Sequence, residues 1–262
     1  MTAPGLDPIA SPPVAPNWAR RPANLATAVT AELVARIVRG DHPSGTSLPP
    51  EPALCEAFSV SRTVVREAVK VVQAKGMVQV RQGAGTVVAP RALWNTLDEV
   101  VLGAVVAEDE TLGVLDDVVV TRRLLESDMA GVAARTADQD TVDALRALVD
   151  LMDRLVDDPL AYREQDRAFH DRIMRTSGNR IARGVVRALE SQVGNTARYT
   201  GRTDPDLCAE SNRGHRRVYE RIAARDPAGA AEAMSTHITE AWLVRRGGAG
   251  EPGRLERWCG DR

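Results

Sequence analysis

Apolar residues recur every three or four positions along most of this chain, the period of a helix that buries one face. Val29, Leu33 and Ile37 predict a helix from Leu25 to Arg39, with Gly40 as its stop. A short second helix follows from Glu51 to Phe58, burying Leu54 and Phe58. Ser61 then caps a third, Arg62 to Lys75, whose inner stripe is Val64, Val65, Ala68, Val69 and Val72. Next the period changes. Met77 to Val80 and Thr86 to Val88 are β-rich, and Arg81-Gln82-Gly83-Ala84-Gly85 between them predicts a hairpin with a glycine tip. Helical spacing then returns and predicts helices Leu93–Val106, Leu112–Arg135, Gln139–Val156, Leu160–Arg175, Arg180–Tyr199, Asp206–Arg225 and Ala228–Arg245. Short breakers such as Asp157-Asp158-Pro159, Ser177-Gly178-Asn179 and Asp226-Pro227 fold these back on one another as a bundle. The expected fold class is mainly α: an N-terminal winged helix-turn-helix followed by an all-α helical bundle.

The ends read differently. Residues 1–23 carry Pro4, Pro8, Pro12, Pro13, Pro16 and Pro22 with little apolar periodicity, which predicts a flexible tail. Gly247-Gly248-Ala249-Gly250 opens a second tail, residues 247–262. The expected domains are therefore 24–90 and 91–246. The longest apolar run, Val100 to Ala107, is eight residues, far short of the roughly 18 needed to span a bilayer. No basic stretch followed by an apolar one opens the chain, so no secretory signal is expected. Cys55, Cys208 and Cys259 are odd in number and lack CxxC spacing. That argues against a disulfide framework and fits a reducing cytoplasm.

Whole-chain net charge is −2, which by itself speaks against a nucleic-acid partner, but the charge is divided. Residues 20–90 hold nine basic and five acidic side chains and so carry +4, leaving −6 for the remainder. A basic module attached to an acidic one changes the expected partner. On the third helix Arg62, Thr63, Arg66 and Lys70 form the outer stripe. A short helix, a tight turn and a helix with a polar, basic leading end is what insertion into a major groove requires. A solvated helix face is the plainer alternative for Arg62 and Arg66.

The wording of the segment adds to this. Gly45-Thr46-Ser47-Leu48-Pro49-Pro50-Glu51, Val60-Ser61-Arg62-Thr63-Val64-Val65-Arg66-Glu67-Ala68, Lys75-Gly76-Met77-Val78 and Gly83-Ala84-Gly85-Thr86 resemble the winged helix-turn-helix of GntR-type bacterial transcription regulators. The resemblance implies that Ser61, Arg62, Thr63 and Arg66 contact double-stranded operator DNA, with Gln82 and Gly83 of the wing entering the minor groove. One position departs from the pattern. Many members carry arginine directly after the glutamate of the second helix, where this chain has Pro52, so that contact is not carried over.

In the acidic module the chemistry-bearing residues are few. Asp166 and His170, four apart, share a helix face, and His215 and His237 lie on the last two helices. Such a set suits a divalent transition metal in a bundle core; satisfied, part-exposed histidines are the plainer alternative. His42 lies in a loop and is assigned no role. Arg122-Arg123-Leu124-Leu125-Glu126, Gly131-Val132-Ala133-Ala134-Arg135, Asp166-Arg167-Ala168-Phe169-His170 and Ser177-Gly178-Asn179, with the two later histidines, resemble the FCD effector domain of the FadR subgroup. That resemblance implies a metal held by Asp166, His170, His215 and His237, zinc first and nickel or manganese next, facing a cavity for a small carboxylate. It places Arg122 on the cavity wall as a fork for that carboxylate. The linker Trp94-Asn95-Thr96-Leu97-Asp98 is similar to that of FCD regulators answering to sugar acids.

The expectation is a homodimeric, metabolite-responsive regulator, a repressor, that binds a palindromic operator and answers to a sugar acid or hydroxy acid. It is not expected to be an enzyme. A metal-dependent hydrolase fused to a DNA-binding module is the alternative; Glu164 could then serve as base, although no HExxH is present. In a third reading the metal is purely structural and DNA binding is constitutive.

Overall fold

The computed structural model describes residues 25–194, 196–200 and 205–246. The two expected tails, 1–23 and 247–262, lie outside the described residues. The chain forms two compact units that divide between Leu93 and Trp94.

In the first unit, α1 (Leu25–Arg39), α2 (Glu51–Phe58) and α3 (Arg62–Ala74) precede β1 (Val78–Arg81) and β2 (Gly85–Val88). α1 turns Val29, Leu33, Val34, Ile37 and Val38 inward, and α3 meets it with Val65, Ala68 and Val72. Val64 and Val69, expected on the inner stripe, are only half-buried at its margins. The turn between α2 and α3 is tight because Ser59 adopts a left-handed conformation, φ 52°, and returns its N–H to Cys55 and Glu56 carbonyls. β1 and β2 pair antiparallel, Val78 opposite Val88 and Arg81 opposite Gly85. The tip is turned by Gly83 and Gly85 at φ 78° and 75°, a region where glycine is strain-free. Ser47 adds an isolated bridge to Val87, and its hydroxyl donates to Ala84 O at 2.8 Å, tying the wing to the chain before α2.

Among the described residues the elements of the second unit are all helices: α4 (Glu99–Glu108), α5 (Gly113–Thr136), α6 (Gln139–Arg154), α7 (Pro159–Thr176), α8 (Arg180–Val193), the short α9 (Ala197–Thr200), α10 (Pro205–Ala223) and α11 (Pro227–Arg246). α11 lies along both α5 and α10, α6 packs on α7 and α10, and α7 completes the contact with α5. Leu145, Phe169, Ile173, Val218, Ile222, Met234 and Trp242 fill the core. Small residues set the closest approach: a Cβ on Gly131 would lie 3.0 Å from Pro227 O.

Two boundaries differ from the periodicity by more than two residues. The helix expected from Leu93 begins at Glu99, because Asp98 caps it by accepting from Val100 and Val101 N–H at 3.0 and 3.3 Å. The helix expected to run unbroken to Tyr199 stops at Val193 beside Gly194. It is followed by α9, whose Tyr199 N–H reaches Thr196 Oγ1 at 3.3 Å.

Candidate metal centre and nucleic-acid interface

In the first unit, Ser61 accepts from Val64 N–H and so opens α3 with its leading residues free to project. Arg62, Thr63, Arg66 and Lys70 are exposed on α3, and Gln82 and Gly83 are exposed at the wing tip. Arg66 Nε donates to Glu51 at 2.9 Å, and Lys70 pairs with Glu67 at 3.0 Å. These are solvent-exposed pairs, held by about 1 kcal/mol or less, so a phosphate can replace the carboxylate at little cost. Pro52 sits in the first turn of α2, exposed, with its ring pre-set for that position.

In the second unit, α7, α10 and α11 bring Asp166, His170, His215 and His237 together. One donor atom from each lies within 4.8 Å of all the others. The three imidazoles are buried, and the Asp166 side chain is 29% exposed. His215 Nε2 stands 3.1 Å from Asp166 Oδ1, and His237 Nε2 stands 3.3 Å from His170 Nε2. A tetrahedral set about 2.1 Å from zinc spaces its ligand atoms about 3.4 Å apart, so both separations already match a shared ion. His215 Nε2 is buried, and its approach to Asp166 is not directed as a hydrogen bond. Burial drives His237 well below the usual histidine range, with His215 and His170 pushing the same way. It also lowers His215, against the pull of Asp166. That favours the neutral donor form a metal needs at His215 and His237, whereas at His170 burial is outweighed by Glu126 and then Asp166, which raise its pKa. The Asp166 carboxyl, which burial alone would raise, is held far below its usual range by the neighbouring imidazoles, His215 above all. This donor set fits a divalent transition ion.

Behind the ligands lies a second layer. Glu126 on α5, 1% exposed, accepts from His170 Nδ1 at 2.6 Å, which leaves Nε2 for the centre. Burial would raise the Glu126 carboxyl, but Arg122 and His170 outweigh it and hold it at about 2. Asn212 Oδ1 lies 3.4 Å from His215 Nδ1, and its amide is fixed by donation to Val149 O and Asp153 at 3.0 and 2.6 Å. Gly214 closes the arrangement: a Cβ there would lie 2.3 Å from His237 Nδ1.

The centre opens onto a cavity of about 150 Å³ whose wall includes Arg122, Asp166, His170, Glu190, Tyr199 and His237. Arg122 is on that wall, but it is buried and already engaged. It donates to Glu126 Oε1 and Glu190 Oε1, each at 2.8 Å, and to the Tyr199 hydroxyl. Burial would lower its pKa; Glu126, Tyr199 and Glu190 more than offset that.

The structure thus brings all four expected ligands together and sets Arg122 beside them. Sequence pattern does not mark Glu126, Glu190, Asn212, Tyr199 or Gly214 as parts of the site. Two of these carry a readable signal. Glu126 follows Arg122 by four, one turn along the same helix face. Gly214 sits inside a helix directly before a candidate ligand, where glycine costs about 1 kcal/mol relative to alanine and so points to close packing.

A winged helix-turn-helix joined to an all-α bundle with a buried donor cluster defines a DNA-binding regulator with a second, ligand-type domain. Residues 25–88 match the bacterial regulatory proteins of the gntR family, and residues 117–240 match the FCD domain. The chain belongs to the GntR family of transcriptional regulators, with the FCD domain of its FadR subgroup. It is 38% identical over 158 residues to the HTH-type transcriptional regulator YieP of Escherichia coli (strain K12), covering 60% of this chain and 69% of that one. It is 27% identical over 210 residues to the galactonate operon transcriptional repressor of the same organism, covering 80% and 92%. Among solved structures it resembles Lar, which controls expression of the Listeria monocytogenes agr system. That match has a TM-score of 0.52 at 16% identity, over 86% of this chain and 97% of that one, and shows the fold alone. The relatives are named as transcriptional regulators, in line with the regulator reading. No helix among the described residues is long and apolar enough to cross a membrane.

Proposed function

We propose that this chain is a cytoplasmic, homodimeric repressor whose grip on a palindromic operator is released by a small carboxylate, a sugar acid or hydroxy acid. A divalent metal, zinc in preference to nickel or manganese, is held by Asp166, His170, His215 and His237 and supplies the positive charge that takes the effector's carboxylate. Arg122 adds its remaining N–H donors from the wall. Ser61, Arg62, Thr63 and Arg66 read the major groove, and Gln82 and Gly83 enter the minor groove. Two copies would occupy half-sites about 34–36 Å apart or a multiple of that.

The observation that carries this reading is the convergence of four donor atoms within 4.8 Å, three of them (from Asp166, His170 and His237) belonging to residues that line a cavity large enough for a small acid. The name of the galactonate repressor supports a sugar acid as the effector class.

Linkage provides the test. An effector that weakens DNA binding must itself be bound less tightly by the DNA complex, by the same factor. Gluconate is titrated into the zinc-loaded full chain, free and bound to an operator selected from random DNA. Weaker binding to the complex is expected. Equal affinity in both states sinks the allosteric part.

A further inference from the structure

The Arg122 end of the cavity is not an open cationic pocket. Its Nε donates to Glu126, one terminal nitrogen to Glu190, and the other to Tyr199, leaving one N–H on each terminal nitrogen. Two carboxyl groups therefore face one guanidinium, Glu126 held low and Glu190 raised by burial against the pull of Arg122, and no surplus positive charge remains for a third. The two acids are not equivalent. Glu126 is 1% exposed and also engaged by His170, so a ligand does not reach it. The Glu190 side chain is 19% exposed, stands on the cavity wall, and bonds to Arg122 alone among the described residues. It presents unused acceptor capacity next to a guanidinium whose charge is already balanced.

We propose that Glu190 is a specificity-determining residue of this cavity. It requires the ligand to bring a neutral hydrogen-bond donor, a hydroxyl, to the Arg122 end, and it rejects a second carboxylate there. The inference rests on the carboxylate-effector reading above and narrows it to polyhydroxy monocarboxylates. Both halves follow from general energetics. A site built to hydrogen-bond a hydroxyl discriminates strongly against an analogue lacking it, because its own polar group is left unpaired. Like charges brought together in a desolvated pocket cost several kcal/mol, which is more than one shared guanidinium returns.

Calorimetric titration of the zinc-loaded full chain with gluconate, glucarate and hexanoate tests this. Gluconate and glucarate share chain length and internal hydroxyls and differ only in ending on a hydroxyl or a carboxylate. Hexanoate keeps the chain and loses every hydroxyl. Gluconate is expected to bind about tenfold or more tighter than either. Glu190→Gln, which removes the charge and keeps the shape, should bring gluconate and glucarate to within about threefold in protein that still carries its zinc. Unmutated protein that takes glucarate or hexanoate as tightly as gluconate overturns the proposal, whether or not the variant folds. A Glu190→Gln variant that keeps the full preference for gluconate over glucarate overturns it too. If none of the three acids binds, the carboxylate reading itself fails and this proposal falls with it.

Discussion

The two units place charge in opposite settings. In the helix-turn-helix, Arg66 is 62% exposed against a 42% exposed Glu51, and Lys70 and Glu67 are more exposed still. In the bundle, His170, Glu126, Arg122 and Glu190 form one bonded chain of ionisable groups, with Asp166 within 4.8 Å of His170. Its members from His170 to Arg122 are no more than 9% exposed. The difference matches what each unit meets. Exposed pairs are nearly neutral in free energy, so their partners exchange readily for the phosphates of a polymer. Buried groups are expensive to leave unpaired, so they hold one geometry and can tell one small ligand from another. Substitutions should therefore be severe in the bundle and graded in the DNA-binding unit.

The strongest contrast comes from a ligand. His237→Ala removes one of the four donors proposed to hold the metal. Zinc affinity is expected to fall about a hundredfold or more, with gluconate binding lost and operator affinity retained. Competition with a chromophoric chelator reads the first, and anisotropy on labelled operator reads the last. Loss of operator binding together with zinc would mean that the metal is structural and that the two units are not separable.

Next in size is the layer behind the ligands. Glu126→Gln keeps an acceptor for His170 but removes the charge that both His170 and Arg122 face. Partners of this kind tune metal affinity by about 10–100-fold, and a loss within that range is expected in the same chelator competition. An unchanged zinc affinity would reduce Glu126 to a packing role.

The predictions diverge because the two sites were unequally legible in the sequence. On α3 the period of Val65, Ala68 and Val72 implies the exposed face by subtraction, so Arg62 and Arg66 follow directly from the pattern. The same spacing argument puts Asp166 and His170 on one face. It cannot say that α10 and α11 bring His215 and His237 to that face, which only the packing of α11 on α5 and α10 decides. Glu190 and Tyr199 are less legible still. Tyr199 reaches Arg122 across 77 residues of sequence, and does so because the helix breaks at Gly194, a break that apolar periodicity runs straight through. Chemistry displayed on one element is readable from its period; chemistry assembled from several needs the fold.

On the exposed side, Arg66→Ala should weaken operator binding modestly. If Arg66 meets a phosphate, it should also flatten the slope of log affinity against log salt by about 0.9. Zinc and gluconate binding should stay as they are. Anisotropy across a salt series checks both parts, and an unaltered affinity would remove Arg66 from the interface.

The smallest effect sharpens the comparison most. Glu51→Gln removes the carboxylate that occupies Arg66 Nε at 2.9 Å in the free protein. Being half-exposed, that pair contributes under about 1 kcal/mol, so the melting temperature should barely move. If a phosphate takes the place of Glu51 on Arg66 Nε, the loss of this competitor should tighten binding, by about fivefold at most on the same energy scale. The salt slope should not change, because the same number of phosphates is neutralised. Weaker binding in Glu51→Gln would reverse the argument: the carboxylate would then be aiming Arg66 at the DNA, and an exposed pair would be acting as a positioning device, as Glu126 does in the buried centre.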